Sequence, residues 1–139
     1  MPDTVTVYLP LNTWVHIQAY TNALFDQQVT ITQENGTVTV LTGSGEHDAP
    51  MPNGNFGITT PNQSSSQLGY RVTVQVQSSQ GSGQYQPSQV FSGSCGVMYY
   101  SLVLVVSEDY VDNDWNDAVV QFTWWTPPQF RNVADLHKG

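Results

Sequence analysis

The alternation of apolar and polar residues is the feature that most constrains the fold of this 139-residue chain. Segments rich in Val, Thr, Tyr and Trp repeat with a period of two, which is typical of half-buried strands. Strands are predicted over 4–9, 13–21, 27–33, 36–42, 70–78, 97–106 and 118–125. Clusters of Gly, Pro, Asn and Ser separate them, and no amphipathic helix is apparent. This pattern predicts an all-β, single-domain fold, either an antiparallel β-sandwich or a barrel.

The segments between the predicted strands are of unequal length. Residues 43–69 and 79–94 show little alternation and are predicted to be long loops, with one short strand near 56–59. The run at 97–106 is apolar on nearly both faces, which suits a central strand. Pro127 and Pro128 stop the last strand. The domain is therefore predicted to cover 1–125, followed by a C-terminal extension over 126–139.

The charge balance narrows the possible partners. Charged residues make up 10% of the chain, and eleven acids against three bases give a net charge of −8. This charge argues against nucleic acid or an anionic membrane surface as a partner. The N-terminus lacks a signal-peptide pattern, and no stretch is long enough to span a bilayer. We therefore expect no membrane insertion, and a protein that is cytoplasmic or exported by a non-classical route to the cell surface or beyond.

Several single residues have a structural and a functional interpretation. Cys95 has no partner for an intrachain disulfide and is predicted to be a buried structural thiol. Trp14 and one of Trp124 and Trp125 are predicted to lie in the core. Trp115 is expected to order the loop that contains it.

Two stretches with histidine are also interpreted as structural. Glu46, His47 and Asp48 are adjacent, but no further partners for an acid–base or metal site can be identified, so a solvated loop is predicted. His16 is predicted to be an ordinary strand residue.

The stretch SEDYVDNDWNDAVV, residues 107–120, concentrates the acids of the chain. It holds five carboxylates within ten residues: Glu108, Asp109, Asp112, Asp114 and Asp117. Two carboxylates about 4 Å apart repel by roughly 1 kcal/mol in water and about 4 kcal/mol at an effective dielectric constant near 20. No base lies nearby in the sequence, so a bound cation would offset the repulsion. The alternative is a solvated acidic turn without an ion.

The donors of this loop indicate which cation it would take. Carboxylate, Asn113, Asn116 and backbone oxygens are hard ligands, which favour Ca²⁺ over zinc or copper. The spacing is not that of an EF-hand, because Asp117 stands where the turn glycine is needed and Thr123 where the bidentate Glu is needed. Five carboxylates exceed the usual need of one calcium ion, so two ions that share ligands are plausible.

Two separated stretches resemble the small bacterial fucose- and mannose-binding lectins of the LecB type. SEDYVDNDWNDAVV resembles their calcium loop, and the strand AVVQFTW (118–124) that follows also fits. YLPLNTWVHIQAYTN (8–22) is similar to their first strands, with a Leu-Pro-x-Asn-Thr signature and an Asn about ten residues further on. The resemblance implies a β-sandwich of about nine strands, two Ca²⁺ ions per subunit, and a homo-oligomer, either a dimer or a tetramer. It also implies binding of fucosylated or mannosylated glycans without catalysis.

The resemblance implies a role for each matching residue. One ion would be held by Glu108, Asp112, Asp114 and Asp117. The other would be held by Asn22, Asp114, Asn116 and Asp117. Asp112, Asp114, Asn116 and Asp117 would also line the sugar site, where Asp109 would accept a hydrogen bond from a sugar hydroxyl. Ala23, Leu24 and Phe25 occupy the short loop that tunes fucose against mannose in the family, and Ala23 slightly favours mannose.

Departures from the family pattern keep a second function class open. Tyr110 stands where the family has Gly, and the loop at 23–25 is apolar where the family is polar. Both favour a structural or adhesion module in which calcium only rigidifies the loop. Pro127 occupies the position of the family's terminal Gly, whose carboxylate enters the partner's calcium site. A glycosidase using two of the carboxylates ranks last, because it needs one raised pKa and metal-bound carboxylates have lowered pKa values.

Overall fold

A computed structural model describes residues 3–79, 84–108 and 116–126, and the regular structure of these ranges consists of β-strands. The strands are β1 (Thr4–Leu9), β2 (Trp14–Gln33), β3 (Val38–Thr59), β4 (Tyr70–Ser78), β5 (Gln86–Pro87), β6 (Gln89–Val97), β7 (Tyr100–Glu108) and β8 (Ala118–Trp125). The prediction of an all-β fold is confirmed. Within these ranges, no helix is present that is long and apolar enough to cross a membrane.

The strands form one strongly curved antiparallel sheet. The strand order is β1-β4-β2-β8-β7-β6, while β3 pairs with β2 and β5 pairs with β4. The strands at the two ends of this order, β1 and β6, come close to each other. The sheet therefore closes on itself around a single core, as in a sandwich.

Strand β2 connects the two halves of this fold. Its first part pairs with β8, from His16 opposite Thr123 to Thr21 opposite Ala118. Its second part, from Gln27 onwards, pairs with β4 instead. The register against β3 shifts three times between Gln18 and Gln27. Such shifts bend a strand, and the residues at 22–25 lie at this bend.

The core follows from the period-two pattern of the strands. In β2, Val15, Ile17 and Ala19 are buried before the bend, and Val29 and Ile31 are buried after it. They pack with the central valines of β4 and with Phe122 of β8. Each Val, Ile or Phe side chain among them contributes roughly 1.5–3 kcal/mol through its burial.

Three boundaries of the sequence prediction are wrong. Residues 43–55 belong to β3 rather than to a loop, because their backbone pairs with β2 although their side chains do not alternate, and the predicted short strand at 56–59 is the end of β3. The predicted loop at 79–94 contains the start of β6, whose Gly- and Ser-rich backbone pairs with β7. The predicted strand 97–106 is divided by a turn at Met98 and Tyr99, so β7 begins at Tyr100.

Two predictions of burial are also wrong. Cys95 is exposed, because it lies on β6 at an edge of the sheet. Trp14 is 59% exposed, stacks on His16 with ring centroids 5.6 Å apart, and covers Gly57. The prediction for the C-terminal pair is confirmed, since Trp124 packs against the core and Trp125 is exposed.

The turn that follows β2 contains Glu34, whose lowered pKa makes the stability of the fold depend on pH. Three donors lower the pKa of the Glu34 carboxyl to about 2 from 4.5: the backbone N–H of Ser65, the hydroxyl of Ser64 and the backbone N–H of Arg71. A carboxyl with a lowered folded-state pKa stabilises the protein above its unfolded-state pKa, and this contribution is lost as the pH falls.

We expect the difference in Tm between the wild type and Glu34→Gln to be largest above pH 4.5 and to shrink towards pH 2. Thermal unfolding across this range checks it, with Glu46→Gln as a charge control, and a difference independent of pH would contradict it.

Candidate functional site

The described parts of the predicted metal site come together at the bend of β2. The backbone N–H of Asn22 donates to the carbonyl of Asp117 at 3.0 Å, and the N–H of Asp117 donates to the carbonyl of Ser107 at 3.2 Å. These bonds join the bend to the end of β7 and the start of β8. Of the predicted ligands, the structure thus brings Asn22, Glu108, Asn116 and Asp117 to one end of the sheet.

Ser107 fixes both ends of the acidic loop. Its hydroxyl donates to the carbonyl of Ala118 at 3.0 Å and accepts a hydrogen bond from the N–H of Ala118 at 2.9 Å. The side chain is fully buried. Ser107 was not among the residues predicted from the sequence. A lone Ser between an apolar strand and the first acidic residue could have indicated its structural role.

Two carboxylates at this end of the sheet are almost completely buried. Glu108 is 2% exposed and Asp117 is 3% exposed. Removing a carboxylate from water costs several kcal/mol unless opposite charge and hydrogen bonds compensate for it. Such burial is typical of carboxylates that bind metal ions or form ion pairs.

The positive charge of the described chain lies elsewhere. Arg71 is the only Lys or Arg in residues 3–79, 84–108 and 116–126. It stands at the start of β4 opposite Tyr8, whereas Ser78 at the end of β4 pairs with Gln27 beside the bend. Seven residues of strand separate these two ends by about 23 Å. Arg71 therefore does not reach the buried carboxylates.

The donor set fits calcium. The described members offer carboxylate and amide oxygens beside backbone carbonyls, which are the ligands that Ca²⁺ prefers. The other predicted ligands, Asp112 and Asp114, lie outside the described residues, as do Asp109, Tyr110 and Trp115. Among the described residues alone, no group of three or more His, Cys, Asp or Glu side chains is placed to hold a metal ion.

Asp48 also belongs to this end of the sheet. Its backbone N–H donates to Oδ1 of Asn22 at 2.8 Å, and Nδ2 of Asn22 donates to Oδ1 of Asp48 at 2.9 Å. The prediction of a solvated loop over Glu46, His47 and Asp48 is wrong in part. These residues are exposed, but they lie within β3, and Asp48 holds a predicted metal ligand.

The three residues predicted to tune sugar choice differ in accessibility. Ala23 is buried and pairs with Gly45 of β3. Leu24 is 79% exposed, and Phe25 is half-buried. Leu24 therefore provides the exposed apolar surface of this segment.

A comparison with models of protein families identifies the family of the chain. The family model described as fucose-binding lectin II (PA-IIL) matches residues 7–126. The chain belongs to this family. The resemblance noted in the sequence is thereby confirmed, and the family is one of carbohydrate-binding lectins rather than enzymes. A search of curated proteins gave no match.

Solved lectin structures are similar to this member of the family. A Chromobacterium violaceum lectin, CV2L, in complex with alpha-methyl-fucoside is 23% identical, with a TM-score of 0.69 over 91% of this chain and 99% of that chain. A Ralstonia solanacearum high-affinity mannose-binding lectin is 25% identical, with a TM-score of 0.66 over 88% and 96%. The C-terminal domain of the BC2L-C lectin from Burkholderia cenocepacia is 24% identical, with a TM-score of 0.68 over 91% and 100%.

The role of Ser107 can be tested without any ligand. Ser107→Ala leaves the buried N–H and carbonyl of Ala118 without the hydroxyl, which we expect to cost about 1–3 kcal/mol in the free energy of unfolding. Urea denaturation in EDTA measures this loss. Ser92→Ala, at an exposed position of β6, is the control, and equal stability of the two variants would contradict the assignment.

Proposed function

We propose that this protein is a calcium-dependent lectin that binds fucose- or mannose-type monosaccharides through two Ca²⁺ ions. The main support is the burial of Glu108 and Asp117 at the end of the sheet where Asn22 is also hydrogen-bonded. Carboxylates buried this deeply, on a chain of net charge −8, favour a cation as their counter-charge.

The residues of the site have separate tasks in this proposal. Glu108 and Asp117 supply negative charge, and Asn22 and Asn116 supply neutral amide oxygens. The hydrogen bonds of Ser107 hold the strand ends, so that ordering the site costs little when the ions bind. Bound calcium would provide coordination positions at which vicinal sugar hydroxyls replace water. Asp112 and Asp114 would complete the metal ligands, and Asp109 would accept a hydrogen bond from the sugar.

The family of the chain and the exposed side chain at the bend of β2 support fucose- or mannose-type sugars as ligands. The similar lectins were described with alpha-methyl-fucoside or as mannose-binding. Leu24 offers an exposed apolar side chain where polar residues would donate hydrogen bonds. It suits contact with a methyl group, an aglycone or the next sugar of a glycan.

The alternative is a calcium-stabilised structural or adhesion module without sugar binding. The exposed, apolar Leu24 favours it, because it removes polar contacts from the segment that would face the sugar. Calcium would then stabilise the native state by mass action, by about 2.7 kcal/mol at a concentration one hundred times its dissociation constant. Glycans would add nothing to this stabilisation.

A glycan array separates the two functions. We expect labelled protein to bind fucosylated or mannosylated glycans in Ca²⁺ and to lose them in EDTA. Asp117→Asn keeps the size and backbone bonds of Asp117 but removes its charge, so it is expected to weaken calcium and sugar binding together, by at least about tenfold. Asp26→Asn, at an exposed aspartate of β2, is the matched control. Calcium binding without any glycan binding would select the structural module.

We also expect a homo-oligomer, a dimer or a tetramer, and the β6–β7 hairpin is the surface that favours it. Residues 89–107 contain no charged residue. On the outer face of this hairpin lie Phe91, Leu102, Leu104 and Val106, of which Phe91 is exposed and the others are half-buried. Two copies that each carry −8 repel over most of their surfaces. An uncharged apolar face is where they approach at the lowest electrostatic cost.

The oligomer is tested by a charge placed on that face. Phe91→Glu introduces a carboxylate that two facing copies would have to bury, so we expect the oligomer to dissociate to a monomer. Light scattering coupled to size-exclusion chromatography measures the mass. Val40→Glu adds the same charge at an exposed apolar position of β3 and should leave the mass unchanged. A monomeric wild-type protein would refute the expectation.

A further inference from the structure

Asp48 holds Asn22 by both ends of the side-chain amide. The oxygen of Asn22 accepts from the backbone N–H of Asp48, and the nitrogen donates to its carboxylate. If the amide of Asn22 were rotated by 180°, its NH2 group would face the backbone N–H of Asp48. Its oxygen would then face the carboxylate of Asp48. Asp48 thus permits only one orientation of the Asn22 amide.

An irregularity in the β2–β3 ribbon brings Asp48 to this position. Thr21 pairs with Ala49 and Ala23 pairs with Gly45, so residues 46–48 stand opposite Asn22 alone. The backbone is in the left-handed region at Gly45, His47 and Asp48, with φ of 124°, 63° and 56°. Gly tolerates this region, and Asp and His enter it more readily than most residues.

The base of this bulge is anchored to β2. The hydroxyl of Thr21 donates to the carbonyl of Gly45 at 2.9 Å, and Thr21 is fully buried. Asp48 and Tyr20 also line the same small pocket on the surface. Asp48 therefore occupies a defined place beside Asn22 rather than a freely solvated one.

The geometry points to Asp48 as a positioning residue of the calcium and sugar site. The amide oxygen of Asn22 has two lone pairs, one of which accepts from Asp48 and the other of which stays available to a cation. Carboxylates that hold metal ligands in one orientation raise metal affinity in this way. The inference rests on the proposed function, because Asn22 is a calcium ligand only if that function holds. Asp48 itself stays off the ion and acts through Asn22.

Calcium titration of the full chain by calorimetry, without sugar, tests the inference. Asp48→Gly removes the carboxylate without strain at a φ of 56°, and we expect about tenfold weaker calcium binding. Asp48→Asn keeps an oxygen that accepts from Nδ2 of Asn22, and it should bind calcium more tightly than the Gly variant. Glu46→Gln removes one charge from the same bulge and should match the wild type. Equal losses in all three variants would show a charge effect and overturn the inference.

A double-mutant cycle shows whether Asp48 acts through Asn22. In an Asn22→Ala background, Asp48→Gly should cause no further loss of calcium affinity, since no amide remains to be oriented. A full tenfold loss in that background would overturn the positioning role. Thermal unfolding in EDTA checks that each variant is folded.

A readout without calcium separates this inference from the proposed function. In EDTA, the side-chain amide signals of Asn22 in ¹⁵N–¹H spectra should move in Asp48→Gly and stay near their wild-type positions in Asp48→Asn. Unchanged signals in the Gly variant would reject positioning even if calcium binds. A wild-type protein that binds no calcium would reject the proposed function and, with it, the role of Asp48 in that site.

Discussion

The bend of β2 is the constraint on which the rest of the molecule depends. One strand pairs with β3 along most of its length, with β8 before the bend and with β4 after it. Each pairing satisfies backbone donors and acceptors that would otherwise be buried without partners. Because of the register shifts between Gln18 and Gln27, the single strand β2 can pair with strands in both halves of the curved sheet. Asn22 lies at this bend because the strand changes its partners there.

The site arises where the bend meets the ends of two other strands. Ser107 joins β7 to β8, and Asp117 joins β8 to Asn22, so the buried carboxylates are fixed by the backbone network of the sheet. This arrangement costs stability, because Glu108 and Asp117 are taken out of water. A site that binds a cation regains that cost on binding. Under the proposed function, calcium binding would therefore raise the stability of this fold.

The inner and outer faces of the sheet differ in their surroundings around β6, β7 and β8. The inner face of β7 and β8 supplies Val105 and Phe122 to the core. The outer face of the β6–β7 hairpin is apolar and uncharged on a strongly acidic protein. The chain thus belongs to a carbohydrate-binding family and contains an acidic segment at 107–120. It also has an apolar surface that suits contact between copies.

Local patterns in the sequence determined the all-β class, the strands with strict alternation and the acidic segment that pointed to calcium. Alternation is a local signal because successive side chains of a strand face opposite sides of the sheet. Only the tertiary structure decided that residues 43–55 and 89–96 are strands, that Trp14 and Cys95 are exposed, and that Ser107 and Asp48 lie beside the predicted ligands Asp117 and Asn22. These outcomes depend on backbone hydrogen bonds and contacts between segments far apart in the chain. The side chains of residues 43–55 and 89–96 do not alternate, so their sequence alone does not indicate this pairing.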